Sequence, residues 1–322
     1  MIKYSVIGTS WITQSFIEGA NLCGDLRLDG VCSRSAEKGT AFAEKTGAKR
    51  VFTDFKDLVC SDTELVYVAS PNVCHYEQCR ELLLNGKHVI CEKPITVTPG
   101  EFKELCSLAR QKNLVYFEAI MYMHTPLRKV LKEAVGKIGV IRSATVDFSQ
   151  LSSKYQALKN GELPNIFNPE MKTGALNDLG IYCVYPVIDL FGMPKKITPL
   201  QSFLHTGADG CGSAAFEYDD KLVTITYSKV GQSRAPSQIM GDLGTVTVDS
   251  ISKLDGIRLY NNEGGEILLN GETEKKYLMG NEAKSAADFI LHREETAEFL
   301  KECQELNEKV LLCMEKMRVQ NA

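Results

Sequence analysis

The sequence predicts an α/β domain followed by an α+β domain, and two patterns indicate this. Over about the first 120 residues, short apolar runs alternate with stretches of helical period, which is typical of a parallel sheet covered by helices on both faces. Beyond that point, successive strands are joined by turn residues such as Asp219-Asp220, which is typical of a largely antiparallel, open sheet. We therefore predict one domain at 1–120 and a second at 121–322.

The elements of the first predicted domain alternate in chain order. Each strand is a short apolar run: Ile2–Ile7, Leu26–Ser33, Val51–Phe52, Leu65–Ala69, Val89–Cys91 and Leu114–Phe117. The helices lie between strands, where apolar residues recur at the spacing of one helix face: 11–23, Ala36–Thr46, Tyr76–Leu84 and Glu101–Gln111.

The second predicted domain is richer in strands. Its strand-like segments are Ile138–Phe148, Lys196–Leu204, Ser213–Tyr218, Leu222–Ser228, Gly244–Val248, Ile257–Tyr260 and Ile267–Leu269. Segments of helical period are 126–135, 174–191, 282–301 and 303–318.

The charge balance favours a small-molecule partner. Charged residues make up 24% of the chain and the formal net charge is -4, so no basic surface is predicted for nucleic acid or an anionic membrane. The sequence shows neither a signal peptide nor an apolar run of membrane-spanning length. The 11 cysteines are odd in number and include no Cys-x-x-Cys pair, which predicts reduced thiols in a cytoplasmic protein and no metal site.

A first candidate site follows the first strand. Gly8-Thr9-Ser10-Trp11-Ile12 closes that strand and opens a helix, where the glycine-rich loop of dinucleotide-binding folds holds a pyrophosphate. Only the first glycine of the G-x-G-x-x-G pattern is present, and Thr13 stands at the third glycine position. Backbone N–H groups at a helix N-terminus still suit a pyrophosphate, because binding there does not depend on particular side chains.

The end of the second strand indicates which cofactor is used. An enzyme that selects NAD usually places an acid there, which accepts a hydrogen bond from the ribose 2′-OH. This chain has Ser33 and Arg34 instead, with Lys38 one helical turn further on. These residues are candidates for holding a 2′-phosphate, so NADP is the predicted cofactor and NAD remains possible. The alternative is that Arg34 is a solvated loop charge.

A second candidate site is Glu92-Lys93-Pro94, where an apolar run ends abruptly. Pro94 cannot continue a strand because it has no N–H to donate to the sheet. Glu92 and Lys93 are therefore predicted at the carboxyl end of a strand, the edge at which doubly wound sheets bind ligands. The alternative is a surface strand end with two solvated charges.

Four stretches, in this order, resemble motifs of one enzyme family. They are Ser70-Pro71-Asn72-Val73-Cys74-His75 (P-N-x-x-H), Gly86–Pro94 (G-K-x-V-x-x-E-K-P), Glu118–Tyr122, and Gly174–Tyr182 (G-G-G-x-L-x-D-x-G-x-Y). The family is that of glucose-fructose oxidoreductase, inositol dehydrogenase and the rhizopine-catabolism protein, or Gfo/Idh/MocA. The resemblance implies an N-terminal Rossmann domain and a C-terminal sheet domain that often forms oligomers, a dimer above all.

The resemblance also implies roles for individual residues. Lys93 would lie beside the nicotinamide, with a cis bond to Pro94. Ser70, Pro71, Asn72, His75 and Glu92 would lie along the cofactor. Asp178 and Tyr182 are similar to the pair found in dihydrodiol and D-xylose dehydrogenases, and residues four apart share one face of a helix.

The implied reaction is hydride transfer between the nicotinamide and a carbinol or carbonyl carbon of a sugar, polyol or cyclic diol. Lys93 is the first candidate for the proton-transfer group, and Tyr182 is the second. Asp178 would orient Lys93 or a substrate hydroxyl. His75 would exchange a proton or pack against the nicotinamide amide. A non-catalytic NADP-binding sensor is the alternative function.

Three departures from the family pattern concern the fingerprint and the substrate wall. The fingerprint lacks two glycines, Lys172-Thr173-Gly174 replaces G-G-G, and Met123 stands where many relatives of this subtype carry arginine. The last two departures leave the identity of the substrate open.

Overall fold

The computed structural model describes residues 1–319 and divides the chain into two compact units. The first comprises Met1–His124 and Glu274–Glu308, and the second comprises Thr125–Thr273 and the segment that begins at Lys309. The predicted second domain, 121–322, was a single continuous segment. The structure instead assigns Glu274–Glu308 to the first unit.

The first unit contains six strands. They are β1 (Ile2–Ile7), β2 (Leu26–Cys32), β3 (Arg50–Phe52), β4 (Leu65–Val68), β5 (His88–Glu92) and β6 (Tyr116–Ala119). The helices between and after them are α1 (Trp11–Cys23), α2 (Ala36–Thr46), α3 (Phe55–Val59), α4 (Asn72–Leu84), α5 (Pro99–Gln111) and α6 (Met121–His124).

The six strands form one parallel sheet in the order β3-β2-β1-β4-β5-β6. This order confirms the predicted α/β class. The central strands are buried on both faces, as the unbroken apolar run Leu65–Val68 shows, because helices cover the sheet on each side. Strand order reverses between β1 and β4, and ligands of such sheets bind at the carboxyl ends of the strands beside the reversal.

The described residues of the second unit form eight strands and three α-helices, besides the last turns of a helix that begins in the first unit. The strands are β7 (Ile141–Ser149), β8 (Lys196–Phe203), β9 (Asp209–Glu217), β10 (Leu222–Ser228), β11 (Ser237–Gly241), β12 (Gly244–Ser250), β13 (Asp255–Asn261) and β14 (Glu266–Leu268). The helices are α7 (Leu127–Val135), α8 (Tyr155–Lys159) and α9 (Ile181–Phe191). The sheet order is β14-β13-β12-β11-β7-β10-β9-β8.

This second sheet is largely antiparallel, as predicted. Among the described strands, β7 and β10 pair in parallel and all other neighbours pair antiparallel. Side chains alternate between its faces: in β10, Val223, Ile225 and Tyr227 are buried, whereas Thr224 and Thr226 are only partly covered. Helices α7 and α9 pack against the sheet, so one face forms the core of the unit.

Two helices close the described chain, α10 (Lys275–Leu291) and α11 (Arg293–Met317). Helix α10 packs against α1 because Gly19 lets the two backbones approach closely. A Cβ atom added at Gly19 would lie 2.5 Å from the Gly280 nitrogen, which places Glu274–Glu308 with the first unit. The break between the final helices falls at His292, and not near 302 as predicted. No helix of residues 1–319 combines the length and the apolar character that a bilayer span requires.

His88, at the start of β5, is held in its neutral form. Its Nδ1 accepts a hydrogen bond from the Val115 N–H at 2.9 Å, and the Arg293 guanidinium lies 3.3 Å from its Nε2. Burial and the neighbouring Arg293 charge lower the pKa of His88 to about 4. In an unfolded chain a histidine pKa is about 6.5, so the unfolded state takes up a proton between these two values and the folded state does not.

We predict that this residue makes the protein less stable as pH falls from 6.5 toward 4, by up to about 3 kcal/mol. His88→Asn keeps an acceptor for the Val115 N–H and cannot titrate, so its unfolding free energy should depend less on pH over that interval. Urea unfolding at several pH values measures the slope. His205→Asn, a change at an exposed side chain, is the control. Equal slopes for His88→Asn and the parent would contradict the prediction.

Candidate active site

The turn from β1 into α1 requires glycine. Gly8 has a φ of 107°, and a Cβ atom there would lie 2.7 Å from the Ala69 carbonyl oxygen. The Gly8 N–H donates to the Cys32 oxygen at 3.0 Å. The turn is therefore tied to both neighbouring strands, and the start of α1 is placed at the carboxyl edge of the sheet.

The N-terminus of α1 is open to an anion. Ser10 occupies the N-cap position but its side chain does not cap the helix, and no acid lies in the first turn. The Ser10 hydroxyl instead pairs with that of Thr13 at 3.2 Å, and Thr13 is fully buried. The missing glycines are thus replaced by two hydroxyl residues that satisfy each other, and the backbone N–H groups of the first turn keep their capacity for a pyrophosphate.

A cation at this helix start was missed by the sequence analysis. Trp11 is 67% exposed, and the Lys275 Nζ lies 4.1 Å from the centre of its ring. Lys275 opens α10, so its place beside Trp11 depends on the packing of α10 against α1, which no local pattern indicates. A lysine here adds positive charge where the phosphates of a dinucleotide would bind.

The loop after β2 and the first turn of α2 present two exposed cations. The Ser33 hydroxyl donates to the Ser35 carbonyl oxygen at 3.0 Å, so its only proton is used within the loop. Ser35 caps α2 by accepting from the Lys38 N–H at 3.3 Å. The side chains of Arg34 and Lys38 are exposed, and of the predicted residues these two can meet a 2′-phosphate with charge.

The stretch after β4 begins a helix. Pro71 is the N-cap of α4, which starts at Asn72, four residues before the predicted start. The buried His75 ring lies between two carbonyl oxygens, with Nδ1 2.9 Å from that of Pro94 and Nε2 2.8 Å from that of Ser70. Burial lowers the pKa of His75. Because both ring nitrogens face the backbone, this arrangement suits a tether between two loops better than proton exchange.

Glu92 ends β5, as expected, and its side chain holds the backbone of the next residue. One carboxylate oxygen accepts from the Lys93 N–H at 3.2 Å, and the other accepts from the Tyr67 hydroxyl. Burial raises the pKa of Glu92. The Lys93-Pro94 bond is cis, as the family resemblance implied. These contacts suit Glu92 to fixing the backbone at Lys93.

Two further buried acids lie in the first unit. Glu118, on β6, accepts from the Ile95 N–H at 2.7 Å and from the Asn307 amide at 2.8 Å. Glu282, on α10, is 1% exposed, and burial together with the nearby Glu92 charge holds its pKa well above its usual range. The sequence predicted no role for Glu118 beyond its place in the Glu118–Tyr122 motif and did not indicate Glu282, since the partners of each are set by packing between distant segments.

The helix that carries Asp178 and Tyr182 begins against a buried acid. A π-helical turn at Leu176–Gly180 leads into α9. The Leu176 N–H donates to the Asp209 carboxylate at 2.7 Å, and a Cβ atom added at Gly174 would lie 1.9 Å from that carboxylate. Asp209 therefore caps this helix start, and Gly174, with a φ of 111°, leaves room for the cap.

Asp178 forms an ion pair with Lys229, which follows β10. The expected partner was Lys93 or a substrate hydroxyl, and the structure adds a partner within the same unit. Tyr182 lies on the next turn, and its ring meets that of Phe148 edge-on at 5.5 Å. Lys229 carries no signal in the sequence, because a lysine after a strand is ordinarily a solvated charge.

Comparison with known proteins bears on this arrangement. Residues 2–120 match a family model described as an oxidoreductase family with an NAD-binding Rossmann fold, and residues 127–247 match the GFO/IDH/MocA C-terminal domain. The chain is 38% identical to the scyllo-inositol 2-dehydrogenase (NADP(+)) of Bacillus subtilis, over 82% of this chain and 81% of the relative. It is 27% identical to a trans-1,2-dihydrobenzene-1,2-diol dehydrogenase of Xenopus laevis, over 77% and 75%.

Solved structures share the fold over nearly the whole length. A levoglucosan dehydrogenase in complex with NADH and levoglucosan superposes with a TM-score of 0.84 at 18% identity, covering 98% of this chain and 96% of that one. A 3-ketoreductase from Actinomadura kijaniata in complex with TDP-benzene and NADP gives 0.81 at 19% identity, covering 96% and 95%.

We predict that Gly174→Ala destabilises the protein by about 2 to 3 kcal/mol, since it adds a collision with Asp209 to the strain of a left-handed residue. Gly161→Ala is the matched control: Gly161 also has a positive φ, of 89°, but nothing lies within 4 Å of an added Cβ. It should cost about 1 kcal/mol. Urea unfolding of both variants measures the difference. Equal losses would show that the collision is relieved at no cost.

Proposed function

Because the chain belongs to the Gfo/Idh/MocA family of oxidoreductases, we propose that it is an NAD(P)-dependent dehydrogenase acting on a CH–OH group of a sugar, polyol or cyclic diol. The observation that carries the proposal is the set of contacts that fixes the backbone around Lys93 at the carboxyl edge of the parallel sheet. A surface strand end with two solvated charges would not need buried partners on consecutive residues.

The residues at this edge fit a dinucleotide. A side chain at Gly8 would fill the space of the turn, and the first turn of α1 is uncapped by side chains. Thr9, Ser10, Trp11 and Ile12 would hold the pyrophosphate through backbone N–H groups, with Lys275 adding charge. We assign the nicotinamide end to Ser70, Pro71, Asn72, His75 and Glu92.

NADP is the proposed cofactor, with NAD possible. Arg34, in the loop after β2, and Lys38, in the first turn of α2, are exposed cations, and the loop itself, residues 33–35, contains no acid for a ribose 2′-OH. The Bacillus subtilis relative named above is NADP-dependent by its name. The cofactor would supply the hydride chemistry, and the protein would supply position and a route for the proton.

The proposed mechanism gives a role to each of three side chains. Oxidation of a carbinol releases a proton from its hydroxyl, and Lys93 would accept it. A lysine beside an oxidised, cationic nicotinamide loses its own proton more readily, which suits that role. Tyr182 would donate a hydrogen bond to the reacting oxygen, or transfer the proton in place of Lys93, and Asp178 would accept from a substrate hydroxyl.

A cyclic polyol is the substrate class that we propose first, with scyllo-inositol as its first member, on the similarity to the Bacillus subtilis enzyme. D-xylose and a trans-dihydrodiol follow, because relatives named for these substrates also match. No observation on the described residues favours the non-catalytic sensor.

We also propose a cytoplasmic homodimer. The face of the second sheet that bears Thr224, Thr226 and Thr145 carries small polar side chains, and pairing of two such faces would cover them. All 11 cysteines are unpaired thiols, which agrees with a reducing compartment.

Lys93→Met tests the catalytic assignment. We expect kcat for scyllo-inositol oxidation to fall by about 10² to 10⁴, the usual effect of removing a general acid or base, while NADP still binds. Absorbance of NADPH gives the rate, and quenching of Trp11 fluorescence gives binding. Lys112→Met, a change at an exposed residue of the same unit, should leave kcat unchanged. Turnover within about tenfold of the parent would rule out proton transfer by Lys93.

Arg34→Ala tests the cofactor assignment. Loss of a charge-assisted contact of about 1.5 to 3 kcal/mol should raise the KM for NADP by about one to two orders of magnitude and leave the KM for NAD unaffected. The control is Arg27→Ala, an exposed arginine on the preceding strand β2. A parallel rise of both KM values would mean that Arg34 acts on the loop and not on the 2′-phosphate.

A further inference from the structure

Lys229 and Asp178 form an ion pair within the second unit. The side chain of Lys229 is 11% exposed and that of Asp178 is 27% exposed, so the carboxylate is the more accessible partner. The backbone of Lys229 is fixed on both sides: its N–H donates to the Gly210 oxygen at 2.8 Å, and its oxygen accepts from the Ser152 N–H at 2.9 Å. The Lys229 side chain therefore reaches Asp178 from a backbone that is hydrogen-bonded on both sides.

The chemistry of the pair suits two neighbouring hydroxyl groups. An ammonium has three N–H donors and a carboxylate has about four acceptor positions, so each group can bind more than one partner. A hydroxyl group donates one hydrogen bond and accepts others. Of two adjacent hydroxyls, one can accept from Lys229 while the other donates to Asp178. A single alcohol, or a diol with its hydroxyls far apart, can use only half of the pair.

The charge of the pair narrows the ligand class further. Lys229 neutralises Asp178, so the two together present dipoles and no net charge. A neutral polyol fits that environment, whereas a carboxylate or phosphate beside the hydroxyls of a substrate would be repelled by Asp178, the more exposed partner of the pair. Asp178 lies four residues before Tyr182, so the pair and the phenol are carried by neighbouring helical turns.

We propose that Lys229 is a specificity-determining residue that, with Asp178, binds two adjacent hydroxyl groups of a neutral polyol. This inference rests on the proposed function. A purely structural role is the competing account, in which Lys229 only compensates the charge of a partly buried carboxylate. The two accounts differ in what the loss of Lys229 does to substrate discrimination.

The test compares scyllo-inositol with a monodeoxyinositol that lacks a hydroxyl next to the reacting carbon, in steady-state assays with NADP and the full chain. In the parent we expect kcat/KM to favour scyllo-inositol by about 10- to 100-fold. In Lys229→Met the KM for scyllo-inositol should rise by about 10- to 100-fold and the preference should fall below about threefold. The KM for NADP should not change.

Two further variants separate the accounts. Lys229→Arg retains donors and should recover the preference for scyllo-inositol to within about fivefold of the parent. Lys221→Met is the control: Lys221 lies at the other end of β10, pairs with Asp220 and has a side chain that is 16% exposed. This variant should leave the KM for scyllo-inositol and the KM for NADP within about twofold of the parent values.

The outcomes distinguish failure of this inference from failure of the proposed function. The inference is wrong if a thermal unfolding curve shows that Lys229→Met is folded and this variant keeps the parent's preference for scyllo-inositol over the monodeoxyinositol. In that case the Lys229–Asp178 pair does not bind two adjacent hydroxyls. If Lys229→Met is unfolded, Lys229→Arg decides alone, and a folded Arg variant without the preference contradicts the inference. If the parent oxidises no sugar, polyol or diol, the proposed function itself fails.

Discussion

The backbone that carries Lys93 is held at consecutive residues by buried polar groups. Glu92 accepts from the Lys93 N–H, His75 contacts the Pro94 oxygen, and Glu118 accepts from the Ile95 N–H. These groups come from β5, α4 and β6, so the loop cannot move without breaking contacts to three elements. A hydrogen bond broken in a buried site costs more than the bond contributes, which makes the position of the Lys93 backbone well determined.

The same contacts concentrate charge at one edge of the sheet. Burial raises the pKa values of Glu92 and Glu282, whereas the charges of Lys93 and Lys275 act in the opposite direction on Glu92. A carboxylate near the edge stabilises a positive charge beside it, whether that charge is on Lys93 or on an oxidised nicotinamide. In the proposed reaction the positive charge would pass between those two groups, and Glu92 in its ionised form would stabilise it on either one.

Much of the first unit could be predicted from the sequence because its signals are local. The periodicity of α1 and α2 gave their bounds, and the apolar run that stops at Pro94 located the edge of the sheet. Local signals do not predict the features that depend on packing between segments distant in the sequence. The close approach of Gly19 and Gly280 packs α10 against the first unit and places Lys275 beside Trp11. The short strand β11 was not predicted, because it follows Pro236, and a proline indicates a turn. Asp209 and Lys229 become partners of the helix that carries Asp178 and Tyr182 only through the sheet of the second unit.

The departures from the family motifs follow from which glycines the backbone needs. Gly8 and Gly174 remain because a Cβ atom at either would strike a neighbouring oxygen. At the other fingerprint positions, Ser10 and Thr13 fit because their hydroxyls pair with each other. Lys172 retains the left-handed backbone, with a φ of 54°, that glycine adopts without steric cost. A glycine of the motif can therefore be replaced wherever a Cβ atom has room, and Lys172 then brings a charged side chain to a position where the motif has none.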